Sequence, residues 1–282
     1  MNTKEFLQKL SQSDLSKIGH RKILNHLIQN IPVPILTTII KKGTPIFRGR
    51  TEKNVKSFNN EFEISYRTDF GDIKKYGRTN RPHQSVFYAS VPQSKGDYPP
   101  LTLLTEILPD FFEEDKNVKN KHITIGMWVA KKDFEVADIC FSKDYSSNSI
   151  MLEKRKLWDE KLKKESIDFN QHIDTLEFIS RQFSKKKIKS HWDYKLSSVF
   201  FDLIQNEKIH GILYPSVKRD FDGLNLSLIH DVVDELLELK SVCVYELSKE
   251  PKKVYPILCA DDLGFMNSDF KWIKVDSGSS PE

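Results

Sequence analysis

The sequence predicts an α+β protein whose mixed or mostly antiparallel sheet is surrounded by helices. Three observations lead to this class. Short β-branched and aromatic runs recur along the chain, helical patterns are grouped at its start, middle and last third, and no regular alternation of strand and helix indicates a doubly wound fold. With 282 residues, of which 38% are hydrophobic and 30% charged, the chain is typical of a globular protein that buries a sizeable core.

The charge balance is nearly even, since 44 basic residues face 40 acidic ones for a net charge of +4. This mild excess attracts phosphate-bearing ligands, but a nucleic-acid binder usually clusters its basic residues on one face. No segment approaches the ~20 apolar residues that span a bilayer. The first residues also lack the apolar core of a signal peptide. We therefore expect a cytoplasmic protein without membrane contact or direct nucleic-acid binding.

Three cysteines, Cys140, Cys243 and Cys259, lie far apart without CxxC or Cys/His spacing. Their odd number and wide spacing argue against a disulfide framework or a zinc site. Cys140 and Cys243 lie inside apolar runs and are interpreted as buried thiols. The histidines show no metal-ligand spacing either, so no metal is expected.

The first half of the chain begins with an N-terminal helical segment, residues 1–34, which the helical spacing of its apolar residues predicts, with Ser13 as a plausible N-cap. Residues 51–75 are polar and irregular, and a stretch of that length often forms a binding loop or lid. A helix is predicted for the apolar run 101–108. Strands are predicted for 46–50, 86–88, 123–129 and 134–141.

The second half begins with a helical hairpin at about 142–189, inserted into a domain that spans 35–275. Three lysines at 185–187 close the hairpin and are interpreted as a solvated face, while a docking surface for an acidic partner is less favoured. Helices are predicted for 190–206 and for 231–239, the latter capped by Asp231. The remaining strands are predicted at 209–217, 224–229, 241–247, 254–259 and 270–275, before a disordered tail at 276–282.

Candidate functional residues are polar side chains next to apolar strands, since no GxSxG, P-loop, HExxH or GxGxxG signature is present. They are Arg48, Arg78, Asn80, Tyr88, Glu106, Ser216 and Asn225. Glu106 interrupts the apolar run 101–108, so its helix face is predicted to point inward. An inward carboxylate needs a cationic partner or a ligand hydroxyl, because an unpaired buried charge is costly.

Each candidate also has a structural interpretation. Glu106 could form an ion pair with one of the two arginines, and spacing alone does not decide this. Tyr88 taken alone fits a core residue better than a ligand platform. Ser216 follows a proline as turn residues do, and Asn225 could cap or close a turn.

Four segments, taken in order from about residue 44 to 230, resemble the RES domain, a family named for its Arg, Glu and Ser. They are FRGR, YGRTNRPHQSVFYAS, LTLLTEIL and GILYPSVKRDFDGLNLSLI. The family's functional positions are matched by Arg48, by Arg78 with Asn80, by Tyr88, by Glu106, and by Ser216 with Asn225. Thr79 departs from the usual aromatic, the connection from Tyr88 to Glu106 is longer, and the 142–189 insert lengthens the chain.

The resemblance implies an ADP-ribosyltransferase-like fold and a toxin that consumes NAD+ and is paired with an Xre-like antitoxin, in a toxin–antitoxin or defence module. It implies Glu106, Arg78 and Tyr88 as catalytic residues, and Arg48, Asn80, Ser216 and Asn225 as NAD+-binding residues. The acceptor of the ADP-ribosyl group stays open, so an NAD+ glycohydrolase, a phosphorylase and a mono-ADP-ribosyltransferase are all compatible. A non-catalytic nucleotide-binding module is the alternative of a different class.

The residue types suit the implied reaction. Nicotinamide is already a cationic leaving group in NAD+, so one carboxylate suffices where ordinary glycoside hydrolysis needs two. The hypothesis is that Glu106 bonds the ribose hydroxyls and stabilises the developing positive charge. The two arginines would hold the pyrophosphate, and Tyr88 would stack beside the nicotinamide. The N-terminal segment and the 142–189 insert are expected to mediate self-association or antitoxin contact.

Overall fold

The computed structural model describes residues 3–51, 57–94, 96–112, 121–143, 145, 148–165, 168–207, 209–249, 252–261, 263 and 269–275. The predicted tail at 276–282 lies outside the described residues. The α-helices are α1 Thr3–Gln12, α2 His20–Asn30, α3 Glu61–Ile64, α4 Pro99–Ile107, α5 Pro109–Phe112, α6 Ser149–Glu165, α7 Phe169–Phe183, α8 Lys195–Asn206 and α9 Val233–Leu236. The strands are β1 Thr37–Ile40, β2 Pro45–Arg50, β3 Val86–Val91, β4 Lys121–Ala130, β5 Phe134–Asp138, β6 Gly211–Pro215, β7 Leu224–Ile229, β8 Leu237–Lys249, β9 Lys252–Ala260 and β10 Ile273–Lys274.

The described strands form one sheet in the order β1-β5-β6-β7-β3-β2-β4-β8-β9-β10. Of the neighbouring pairs only β5 and β6 are parallel. The helices α6 and α7 are inserted between β5 and α8. The predicted α+β class, with a mixed, mostly antiparallel sheet and an inserted helical hairpin, is thereby confirmed.

One face of the sheet encloses the largest apolar cluster. This cluster takes buried residues from every strand between β1 and β9, so the sheet curls around it. Trp128 and Phe87 lie at its centre, fully buried, with ring centroids 5.1 Å apart in an edge-to-face contact. Aromatic pairs in this geometry add stabilisation beyond the area they bury.

Two groups of helices cover the opposite face. Helices α1, α2, α7 and α8 share a second buried cluster with residues of β3, β5 and β6, while α4 and α5 pack on β4 and β8. The N-terminal helices therefore pack into the same core as α7 and α8, and the predicted domain boundary at residue 34 stays a prediction. The face between the two groups of helices is left open.

The N-terminal segment differs from its prediction. It forms two helices, with residues 13–19 as a turn between them and Gly19 at the N-cap of α2. Ser13 does not cap a helix start, since its hydroxyl donates to the carbonyl of Lys9, 2.7 Å away, at the end of α1. The buried residues of both helices and Leu15 of the turn belong to one apolar cluster, so the helical spacing of apolar residues continues across the turn.

The helix predicted for 231–239 is also shorter than expected. Asp231 makes no capping hydrogen bond, and α9 ends at Leu236. Leu237 and Leu239 instead pair with β4 and point into the core, where they are 4% and 7% exposed. Pairing with a neighbouring strand overrides the local helical pattern.

The interpretation of Cys243 as a free thiol is wrong. Cys243 forms a disulfide with Cys259, because the register of β8 and β9 places the two residues directly opposite each other. Spacing along the sequence gives no sign of such a pairing. Cys140 is a buried free cysteine, as predicted, and burial raises the pKa of its thiol well above the usual range, which makes it unreactive.

The three lysines at 185–187 are more than a solvated face. Lys185 is half-buried, and its ammonium donates to the carbonyl of Asp193 at 3.0 Å, while burial lowers its pKa. Lys186 pairs with Asp220 at 2.7 Å. Lys187 is exposed to solvent, as expected. Within the described ranges, no helix is both long and apolar enough to cross a membrane.

Candidate active site

A cavity of about 410 Å³ opens between the two groups of helices, a volume within the range of small-molecule sites. Six of the seven predicted site residues line it: Arg48, Arg78, Asn80, Tyr88, Glu106 and Asn225. The seventh, Ser216, is fully buried behind Glu106. Residues separated by up to 177 positions in the sequence are therefore brought together around one cavity.

The cavity lies where β2 and β3 separate. The two strands pair at Phe47 and Ser90 only, although the same register would place Gly49 opposite Tyr88. The carbonyl of Tyr88 instead accepts a hydrogen bond of 2.8 Å from Nη1 of Arg48. The Arg48 side chain thus takes the place of the backbone N–H of β2 that would donate to this carbonyl if the two strands stayed paired.

Arg48 is held by its surroundings from several sides. Its Nε donates to the carbonyls of Ile64 and Ser65 at 3.1 Å, and its guanidinium lies 5.0 Å from the ring centroid of Phe87. Burial, together with the charge of Arg50, lowers the pKa of Arg48 to about 9, which leaves it charged at neutral pH. Within the described chain Nη2 of Arg48 has no acceptor, so this part of the guanidinium stays available to a ligand.

The segment 77–80 is a tight turn braced by Tyr88. The amide of Thr79 donates to the Tyr88 hydroxyl at 3.0 Å, and that hydroxyl donates to Oδ1 of Asn80 at 2.9 Å. Burial raises the pKa of Tyr88, so its phenol is neutral and able to donate. A Cβ on Gly77 would lie 2.2 Å from Oδ1 of Asn80, so the turn requires glycine there.

Arg78 projects from this turn and is oriented by the inserted hairpin and the segment that follows it. Its Nη1 donates to the carbonyl of Phe183, the last residue of α7, and its guanidinium lies 5.2 Å from the ring centroid of Tyr194. Cation–π contacts of this kind restrict where a guanidinium points. The end of the insert therefore supports the site, a role that the sequence did not predict.

Glu106 receives two hydrogen bonds from neutral side chains. Its Oε1 accepts from the Ser216 hydroxyl at 2.7 Å and from Nδ2 of Asn225 at 3.0 Å. No cationic group of the described residues lies within 4.0 Å of this carboxylate, so the structural ion pair with Arg48 or Arg78 is not present. Its Oε2 has no hydrogen-bond donor in the same part of the chain and remains free at the cavity.

Helix α4 is fixed at three points along its length. The Ser90 hydroxyl donates to the carbonyl of Pro99 at its start, at 2.8 Å. In its middle, Nη1 of Arg219 donates to Oγ1 of Thr102, also at 2.8 Å. Near its end Glu106 accepts its two hydrogen bonds. These contacts give the carboxylate a defined position relative to the sheet.

Three polar residues of the cavity wall were not predicted from the sequence: Tyr194, Tyr214 and Lys218. Tyr214 and Lys218 lie in the quoted segment GILYPSVKRDFDGLNLSLI, beside the serine that was singled out. Burial raises the pKa of Tyr214, and the neighbouring Tyr88 and Glu106 act in the same direction. Tyr194 carries no sequence signal, because it reaches the site from the segment before α8.

A larger groove of about 670 Å³ lies between α1 and α2. Its lining includes Lys9, Lys22 and His26 but no carboxylate. The smaller cavity combines a carboxylate, two arginines and a phenol, and we therefore assign the candidate chemistry to it. The described residues contain no group of three His, Cys, Asp or Glu that could hold a metal ion.

No protein-family model matches this chain, and no curated protein matches it. Among solved structures, it is similar to a chain from the M. tuberculosis MbcT-MbcA toxin-antitoxin complex. The two chains are 10% identical, the TM-score is 0.34, and the similarity covers 76% of this chain and 88% of that chain. A likeness of this size says nothing about function.

Proposed function

We propose that this chain is an enzyme that cleaves NAD+ at the bond between nicotinamide and ribose. The observation that carries the proposal is the state of Glu106, a carboxylate that faces a cavity with one free oxygen and no cationic partner in the described chain. A purely structural carboxylate would be expected to pair with a nearby arginine. The resemblance of the sequence motifs to the RES domain supplies the substrate.

The reaction requires stabilisation at one point, the ribose ring from which nicotinamide leaves. The bond from C1′ of the ribose to the nicotinamide nitrogen breaks, and the electron pair leaves with nicotinamide, which becomes neutral. Positive charge then develops on the ribose ring, and the acceptor adds to C1′ and loses a proton. A carboxylate held beside the ring stabilises that charge without a separate general acid. Glu106 is proposed for this role, with Oε2 facing the ribose.

The other residues of the cavity are proposed to bind and orient the substrate. Arg78 and the free Nη2 of Arg48 suit the pyrophosphate, since a guanidinium fork matches phosphate oxygens. The hydroxyl of Tyr88 is already used by the 77–80 turn, so Tyr88 is proposed to offer its ring beside the nicotinamide. Asn80 is proposed to act through that turn.

Ser216 and Asn225 are proposed to act mainly through Glu106. Both donate to Oε1, and Oε2 is left without a donor in the described chain. Ser216 is fully buried and Asn225 is 7% exposed, so only Asn225 lines the cavity and is also proposed to contact the substrate. A non-catalytic nucleotide sensor could bind ribose hydroxyls through the same carboxylate, and the intact NAD+ that it would leave distinguishes it from an enzyme.

The biological role proposed from the same resemblance is that of a toxin that depletes NAD+ and is held in check by an Xre-like antitoxin. Expression of the chain in a bacterial host is then expected to stop growth and lower cellular NAD+. Co-expression with the antitoxin would reverse both effects. Normal growth with unchanged NAD+ at a confirmed level of folded protein would contradict the toxin role.

The direct test is incubation of the purified chain with NAD+, with and without inorganic phosphate, followed by chromatography of the products. Nicotinamide with ADP-ribose would identify a glycohydrolase, and nicotinamide with a phosphorylated ADP-ribose a phosphorylase. Nicotinamide with a labelled protein would identify a transferase. Unchanged NAD+ under all these conditions would overturn the proposal.

A further inference from the structure

One cation of the cavity has no role in the proposed reaction. Lys218 lines the cavity from the loop after β6, and its side chain is exposed. Among the described residues no carboxylate or carbonyl pairs with its ammonium. A free lysine on a cavity wall is available to a ligand, whereas a paired one is not.

The neighbouring cations show the contrast. Arg219, the next residue, donates to Thr102 and pairs with Asp222 at 2.7 Å and with Asp97 at 3.8 Å. Lys186, which packs on the same loop, pairs with Asp220. Carboxylates thus pair with Arg219 and Lys186, which fix the loop to the protein, whereas Lys218 has no such partner among the described residues.

The loop also gives Lys218 a defined place. Residues Val217–Arg219 form a 3₁₀ turn, closed by the hydrogen bonds from Ser216 N to Gly223 O at 2.9 Å and from Phe221 N to Ser216 O at 2.7 Å. Ser216 in turn holds Glu106. The Cα atoms of Ser216 and Lys218 can be no more than about 7 Å apart. Lys218 therefore stands at the Glu106 end of the cavity.

We propose that Lys218 binds a phosphate of the dinucleotide substrate at this end of the cavity. It thereby makes the enzyme selective for pyrophosphate-bearing substrates over a nicotinamide riboside. An ammonium is a compact point charge that suits a single phosphate oxygen, and such a hydrogen bond is charge-assisted. This inference rests on the proposed cleavage of NAD+ and adds a selectivity to it.

The experiment compares Lys218→Met with the wild type on two substrates, NAD+ and nicotinamide riboside, which lacks phosphate. The matched control is Lys187→Met, which removes the same charge from an exposed lysine outside the cavity lining. We expect Lys218→Met to raise KM for NAD+ about three- to tenfold, as the loss of one exposed charge-assisted hydrogen bond predicts. Its kinetics with nicotinamide riboside are expected to equal those of the wild type, and the NAD+ effect to shrink at high salt.

Titration with ADP-ribose, which carries the pyrophosphate but not the scissile bond, separates this inference from the proposed function. Lys218→Met is expected to bind ADP-ribose about three- to tenfold more weakly than the wild type or Lys187→Met does. If the wild type binds ADP-ribose through Lys218 but leaves NAD+ intact, the proposed function fails while the contact between Lys218 and a phosphate stands. Equal affinities in Lys218→Met and Lys187→Met, no binding of ADP-ribose by the wild type, or an equal loss on nicotinamide riboside would overturn the inference.

Discussion

Two carboxylates lie on either side of the 77–84 region and have opposite surroundings. Asp202 on α8 is bonded through Oδ2 to His20 at 2.8 Å and to Arg81 at 3.1 Å, and through Oδ1 to Gln84 at 2.9 Å. Glu106 on α4 accepts from two neutral side chains through one oxygen only. Asp202 thus has cationic and neutral donors around it, whereas Glu106 has neutral donors only.

The difference between them lies in what remains unbonded. Both oxygens of Asp202 are used, and its side chain is 12% exposed, so it links α2, α8 and the segment after the 77–80 turn. Glu106 keeps one oxygen free beside a cavity. We infer that Asp202 stabilises the fold and that the free oxygen of Glu106 contacts a ligand. Substitutions at the two carboxylates and at the residues that shape the cavity test this difference in role.

Asp202→Ala is expected to lower the free energy of unfolding by about 3 kcal/mol, because His20, Arg81 and Gln84 all lose the acceptor that they share. Urea unfolding followed by circular dichroism measures this. Asp174→Ala is the control, since its ion pair with Lys4 is exposed and is expected to contribute less than about 0.5 kcal/mol. Equal losses in the two variants would contradict the structural role of Asp202.

This pair of carboxylates also shows what the sequence could and could not predict. Glu106 stood out because it interrupts an apolar run and lies between recognisable motifs. Asp202 did not, because its partners come from two distant stretches, His20 from one and Arg81 with Gln84 from the other, that only the tertiary fold joins. The disulfide of Cys243 was missed for the same reason, since strand register decides it. Sequence motifs pointed to six residues of the cavity, but not to Tyr194, Tyr214 or Lys218, and not to the contacts that hold them.

Gly77→Ala is expected to destabilise the fold by about 2 kcal/mol and to lower NAD+ cleavage, because the new methyl group would displace Asn80 and the Tyr88 hydroxyl. Thermal unfolding and the rate of nicotinamide release measure the two effects. Gly71→Ala is the matched control, since a Cβ at Gly71 would meet nothing within 4 Å. If both substitutions behave alike, the braced turn is not required.

Ser216→Ala is expected to lower kcat for NAD+ about tenfold while KM stays nearly unchanged, because it removes one of the two hydrogen bonds that orient Glu106. Steady-state kinetics give both constants. Ser198→Ala is the matched control, since Ser198 is fully buried and its hydroxyl has no hydrogen-bond partner in the described chain. A rise in KM without a fall in kcat would instead indicate that Ser216 contacts the substrate.

The smallest expected effect is on acid stability. Burial raises the pKa of Asp202, but its hydrogen bonds to His20 and Gln84 and the charge of Arg81 outweigh this and hold the pKa below its usual value of 3.8. The folded state is therefore stabilised above pH 3.8, and this contribution is lost as the pH falls through the lower folded pKa.

Unfolding free energies measured from pH 5 downward, below the usual titration range of histidine, are expected to converge between the wild type and Asp202→Asn. The difference between the two proteins should be largest at pH 5 and shrink towards pH 3. A difference that grows as the pH falls would mean that Asp202 does not have a lowered pKa in the folded state.

The most direct test of the division between the two carboxylates is the rate of nicotinamide release from NAD+ by the wild type and by Glu106→Gln, measured at equal concentrations of folded protein. Gln keeps the size of the side chain and an oxygen that can accept from Ser216 and Asn225, so the unfolding temperature should change little. If Glu106 stabilises the charge on the ribose, the rate falls by at least about 100-fold, the scale on which loss of one electrostatic group at the reacting centre acts. A Glu106→Gln protein that releases nicotinamide at the wild-type rate would contradict this role.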